Sequence, residues 1–139
     1  PVKKDTVLNL RTADTTELKM IRGIGSYRAR QIVRYREQLG GFARVEQVME
    51  ANGMQQLDYD SVKQYFSLDS VVVKQMNVNT IGVKRLSTHP YLRFEQAKAI
   101  YELRRRKIHL DSIQQLQELD CLSHETLEKI APYLNFDRK

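Results

Sequence analysis

Residues Arg22-Gly23-Ile24-Gly25-Ser26 carry the pattern with the most chemical content in this chain. Two glycines one residue apart permit a tight turn with backbone angles that side chains resist, and they leave no Cβ to hold a ligand away. A helix launched and capped by Ser26 would begin with N–H groups that lack intrahelical partners and carry the positive end of the helix dipole. Those groups suit a phosphate oxygen, and such a site reads the shape of a nucleic-acid backbone and not its sequence. Arg22, Arg28, Arg30 and Arg34 surround it with positive charge. The plainer reading of an isolated Gly-x-Gly is a tight interhelical corner.

Charge favours the ligand-binding reading. From Lys19 to Arg44 there are seven basic residues and one acid, a balance of +6, and from Lys84 to Lys107 there are eight basic residues and two acids, again +6. The whole chain is also +6, so everything else sums to −6. Concentrated positive charge in both halves is what a backbone-binding surface requires. In the second segment Lys98, Arg104, Arg105, Arg106 and Lys107 form a secondary basic patch. It would act through side chains alone, or serve as a solvated helix end that favours the dipole.

Catalysis needs a constellation, and the sequence contains none. His89, His109 and His124 have no metal-ligand spacing with the single Cys121, no phosphate loop with lysine is present, and Ser26 has no base nearby in sequence. Asp58 and Asp60 read as the capped start of a helix, His89 as turn packing, Cys121 as a small buried hydrophobe and the seven tyrosines mostly as core. The expectation is a protein with no catalytic residue, metal ligand or small-molecule substrate. No apolar run approaches the roughly 20 residues that cross a bilayer as a helix.

Helices must position these residues. Sliding the 139-residue chain by 68 pairs Asn9 with Asn77, Leu18 with Leu86, Ala29 with Ala97, Ile32 with Ile100, Arg36 with Arg104 and Gln47 with Gln115, without a gap. Two copies of one fold unit follow, residues 1–69 and 70–139, with Val71, Val72 and Val73 in an extended connector packed on a domain. In the first copy Asp14 and Glu17 have capping-box spacing ahead of Leu18 and Ile21. A longer helix with Ala29, Ile32 and Leu39 on one face ends at Gly40-Gly41. Phe42, Val45 and Val48 open the next short helix, and after a break at Ala51-Asn52-Gly53-Met54 a last one carries Tyr59, Val62 and Tyr65. No stretch alternates for long, so the expected class is all-α.

The entry Asn9, Thr12, Ala13, the pair Glu17-Leu18, the Gly-Ile-Gly turn, Ala29, Tyr35-Arg36 and the Gly-x-Phe at 40–42 together resemble the tandem helix-hairpin-helix domain of ComEA-type competence proteins. The resemblance is good over residues 8–66 and weaker over 76–136. It implies two tandem units of four to five short helices each, a SAM-like, RuvA domain 2-like helical fold. It implies sequence-independent binding of double-stranded DNA through the amides around Gly23, Ile24 and Gly25, helped by Arg22, Arg28 and Arg30. Family hairpins can hold a monovalent cation through turn carbonyls, here those of Gly23 to Gly25. A role in DNA uptake, or as an accessory of repair or recombination, goes with the family. An extracytoplasmic, membrane-anchored location follows if the resemblance extends upstream of Pro1.

The other turns depart from the pattern. Asn52-Gly53-Met54 keeps one glycine, His89-Pro90-Tyr91-Leu92-Arg93 has none, and neither has Asp120-Cys121-Leu122-Ser123. The first hairpin is thus expected to be the intact one. A protein-interaction or scaffold module built on degenerate hairpins is the rival reading.

Overall fold

The computed structural model of the chain describes residues 7–137, so the outer ends of the two expected units, residues 1–6 and 138–139, lie outside it. Contacts divide the chain between Val73 and Lys74. The first unit runs β1 (Leu8–Asn9), α1 (Thr15–Leu18), α2 (Gly25–Leu39), 3-10 turns at Val45–Glu50 and Met54–Gln56, α3 (Tyr59–Val62), a 3-10 turn at Lys63–Tyr65 and β2 (Phe66–Ser67). The second runs β3 (Met76–Asn77), α4 (Val83–Leu86), α5 (Phe94–Lys107), a 3-10 turn at Ile113–Glu118, α6 (His124–Ile130), a 3-10 turn at Ala131–Tyr133 and β4 (Leu134–Asn135). The fold is all-α in substance. Each unit is closed by one two-residue parallel pairing, Leu8 with Phe66 and Asn9 with Ser67 in the first, Met76 with Leu134 and Asn77 with Asn135 in the second.

The local chemistry explains the elements. Asp14 Oδ1 accepts from the Glu17 amide at 2.8 Å and Glu17 Oε1 accepts from the Asp14 amide at 3.1 Å, which closes the capping box and starts α1. Gly40 ends α2 with φ 90°, and a Cβ on Gly41 would lie 2.7 Å from the carbonyl oxygen of Val72. The connector therefore runs its backbone against this helix end, while Val71 and Val72 keep their side chains exposed. In the second unit the position of Gly40 is taken by Ile108, a β-branched residue at φ 70° and 85% exposed.

Leu10, Leu18, Ile21, Ile24, Ile32, Leu39, Phe42 and Met54 are the largest fully buried side chains of the first unit, and each contributes about 1.5–3 kcal/mol. An arginine completes it. Arg36 Nη1 donates to the carbonyls of Leu10 at 2.9 Å and Ala13 at 2.7 Å, fastening α2 to the segment before α1. Arg104 Nη1 does the same to Val78 at 2.7 Å and Ile81 at 2.8 Å.

Three local expectations are corrected. Ser26 is not the cap of α2: the helix already starts at Gly25, the residue ahead of it is Ile24, and no side chain caps it among the described residues. Asp58 stands at the N-cap position of α3, but its carboxylate accepts from the Ser61 hydroxyl at 2.9 Å and not from a backbone amide. Cys121 is exposed, because its neighbour Leu122 is the residue that enters the core.

Candidate nucleic-acid interface

Four hairpins share one backbone pattern. In the first, the Ile21 amide donates to Leu18 and the Ile24 amide to Ile21, both at 3.1 Å. The pairs Ala51 to Val48 and Met54 to Ala51, His89 to Leu86 and Leu92 to His89, Leu119 to Leu116 and Leu122 to Leu119 repeat it at 3.1–3.3 Å. Ile24, Met54, Leu92 and Leu122 are buried at equivalent points. Buried or half-buried residues spaced by three, apolar except for His89, thus hold the hairpin shape even in the third and fourth turns, where glycine is absent. That spacing was the signal in the sequence.

The first hairpin differs from the rest in its outer surface. Gly23 has φ 90° and Gly25 φ 69°. A Cβ on Gly25 would meet nothing within 4 Å, and one on Gly23 only Leu57 at 4.0 Å. Internal packing does not demand glycine at either place. The left-handed backbone does, and the space outside is open to a ligand.

Of the surrounding arginines, Arg22, Arg30 and Arg34 are exposed and make no ion pair or side-chain hydrogen bond among the described residues. Arg28 is engaged within the protein. Its Nε donates to the Gly53 carbonyl at 2.7 Å, its Nη1 to the Gly23 carbonyl at 3.0 Å and its Nη2 to Gln56 Oε1 at 3.0 Å. The guanidinium ties the first hairpin to the second instead of standing free. It also sets a positive charge beside the Gly23 carbonyl, one of the oxygens the family resemblance offers to a monovalent cation.

In the third hairpin Arg93 stands where Gly25 stands in the first, with extended angles of φ −87° and ψ 165°. Its amide donates to Gln96 Oε1 at 2.8 Å, and Gln96 Nε2 donates to the Cys121 carbonyl at 2.9 Å. Gln96 occupies the position of Arg28, so the tie between hairpins survives while the amide is closed by the protein's own side chain.

The two +6 segments match in charge at Arg30/Lys98 and Arg36/Arg104 and diverge elsewhere. The residues 68 beyond Arg22, Arg30 and Arg34 are Pro90, Lys98 and Glu102. Arg104 to Lys107 lie in the last turn of α5, more than ten residues or roughly 15 Å from its hairpin end. Arg104 bridges carbonyls as described, Arg105 lies 3.9 Å from Glu102 and Lys107 lies 3.5 Å from Glu118. Arg106 and Lys98 are exposed. His89 is buried, with ring centroids 5.3 Å from Tyr91 and 4.7 Å from Tyr133, and its Nδ1 accepts from the Tyr91 amide at 3.2 Å.

Comparison with known proteins adds the lineage. The model of the helix-hairpin-helix motif matches residues 3–67 and again residues 71–135. An endonuclease/exonuclease/phosphatase family domain-containing protein 1 of Xenopus laevis is 27% identical over 144 residues, covering 88% of this chain and 26% of that protein. ComE operon protein 1 of Bacillus subtilis is 32% identical over 60 residues, 43% of this chain and 29% of that protein. An uncharacterized protein of Haemophilus influenzae is 44% identical over 48 residues, 34% of this chain and 43% of that protein. The chain spans less than half the length of each of these relatives. No solved structure matches.

Proposed function

Because this chain belongs to the helix-hairpin-helix motif family, with one match in each half, we propose that it binds double-stranded DNA through its first hairpin, without sequence preference and without catalysing a reaction. The observation that carries this reading is the hairpin itself. Gly23 and Gly25 take left-handed angles with open space outside them, at the start of a 15-residue helix that no side chain caps among the described residues. A phosphate oxygen fits there, and Arg22 and Arg30, with Arg34 about 13 Å further along α2, supply positive charge that is unpaired among the described residues. Arg28 contributes by holding two hairpins together.

The second unit has a different part. Its Arg93 amide is already bonded and its equivalent surface carries Glu95 and Glu102, which favours a scaffold or protein-docking role for it. The ComE operon relative supports DNA uptake as the setting. The Xenopus relative, named for an endonuclease/exonuclease/phosphatase family domain, supports a binding module of this kind within a longer protein. No helix of the described residues is long and apolar enough to cross a membrane.

Fluorescence anisotropy with labelled duplexes of unrelated sequence tests the proposal. Equal affinities that weaken steeply with salt are expected. Absence of binding at low salt, or cleavage of the duplex by the purified chain, overturns it.

A further inference from the structure

We propose that Tyr27 is a direct DNA contact, laying its ring against the deoxyribose edge of the duplex between the two hairpins of the first unit; this rests on the reading of that unit as the DNA-binding one. Tyr27 lies in the first turn of α2, two residues after Gly25, and is 54% exposed. Among the described residues it alone of the seven tyrosines is exposed. Tyr133 is fully buried and Tyr35 donates its hydroxyl to Glu50 at 2.6 Å, whereas the Tyr27 hydroxyl has no partner among the described residues.

Its place between the turns is fixed from the other side. A Cβ on Gly53 would lie 3.2 Å from Tyr27 Cε2 and 3.3 Å from Arg28 Cγ, so the glycine of the second turn makes room for this ring. Arg28 bonds the carbonyls of both Gly23 and Gly53, which sets the two turns side by side with the tyrosine next to them. A ligand that spans both turns passes beside this ring. An aromatic body with a polar tip suits a surface of sugar C–H groups beside phosphate and base acceptors, and it does so whatever the sequence. The second unit carries Glu95 at this position, where a carboxylate would repel phosphate.

The chain contains no tryptophan, so Tyr27→Trp introduces a single indole whose emission reports on this position. Saturating duplex is expected to change that emission while the affinity stays within about threefold of the parent. Tyr27→Ala is expected to weaken duplex binding about tenfold with the salt slope unchanged, because no phosphate contact is lost, and Tyr27→Phe to bind nearly as the parent does. Thermal melting of each variant confirms its fold. A Tyr27→Ala chain that melts normally and binds like the parent, or an indole blind to saturating duplex, overturns the contact and leaves the DNA-binding reading intact. A parent chain that fails to bind duplex at low salt overturns both.

Discussion

Arg28 Nε donates to the Gly53 carbonyl at 2.7 Å, and this bond ties the first turn of α2 to a glycine 25 residues further along the chain. Arg28→Ala is therefore expected to lower both the thermal midpoint, through a loss of about 1–2 kcal/mol, and the affinity for duplex. Arg30→Ala removes only a free charge. It should leave the midpoint unchanged and reduce the slope of log affinity against log salt by about 0.9. Melting curves and salt titrations separate the two, and identical behaviour of both variants would contradict the division of labour.

Arg36 and Arg104 are expected to matter for folding and not for binding. Each bonds two backbone carbonyls, and truncation to alanine strands those acceptors at a cost of about 2–3 kcal/mol. Chemical denaturation of Arg36→Ala and Arg104→Ala checks the loss. Duplex affinity measured well below the melting temperature should stay near that of the parent.

Ile108 holds a positive φ of 70° at the end of α5, where its counterpart in the first unit is Gly40. Left-handed backbone penalises a β-branched residue, and the side chain is 85% exposed, so little packing is lost on removing it. Ile108→Gly is expected to stabilise the chain by about 1 kcal/mol, read as a higher denaturation midpoint. A lower midpoint would show that the turn is not strained.

Asp69 links the end of the first unit to its beginning. The hydrogen bonds from the Arg11 guanidinium, at 2.9 and 3.0 Å, hold its carboxyl well below the usual carboxylate range. A folded value below the unfolded one means that the stabilisation is fully present above about pH 4 and fades as the pH falls further. The pair is half-exposed, so the effect is modest. Asp69→Asn should lower the midpoint at neutral pH and flatten its decline between about pH 4 and pH 2. A decline as steep as the parent's would assign the acid sensitivity to other carboxylates.

Much of this was legible in the residues. The 68-residue repeat, the Asp14–Glu17 capping box, the glycine stop at Gly40-Gly41 and the left-handed Gly23 and Gly25 all follow from local chemistry, and local chemistry is what a sequence records most directly. The arginines were harder. Arg22, Arg28 and Arg36 look alike in a charge count, yet among the described residues one is free, one ties two turns and one fills the gap between helix and entry segment. Which role each takes depends on carbonyls brought near by folding. The repeat held the clue, since Arg36 alone of the seven basic residues between Lys19 and Arg44 meets an arginine 68 residues on. Ser26 misled because serine is a common cap, whereas here a left-handed Gly25 starts the helix one residue earlier. The exposure of Cys121 and Tyr27 was set by neighbours, Leu122 taking the core place of one and Gly53 opening a berth for the other.

The most direct test of the first hairpin as the DNA site compares two pairs of substitutions by anisotropy with a labelled duplex at low salt, with circular dichroism to confirm folding. Gly23→Ala with Gly25→Ala puts Cβ atoms where the phosphate would approach, and a loss of affinity of at least about tenfold is expected. Tyr91→Ala with Arg93→Ala alters the matching turn of the second unit, and a change of less than about threefold is expected. Unchanged binding by the folded glycine variant, or equal losses from both pairs, would contradict the assignment.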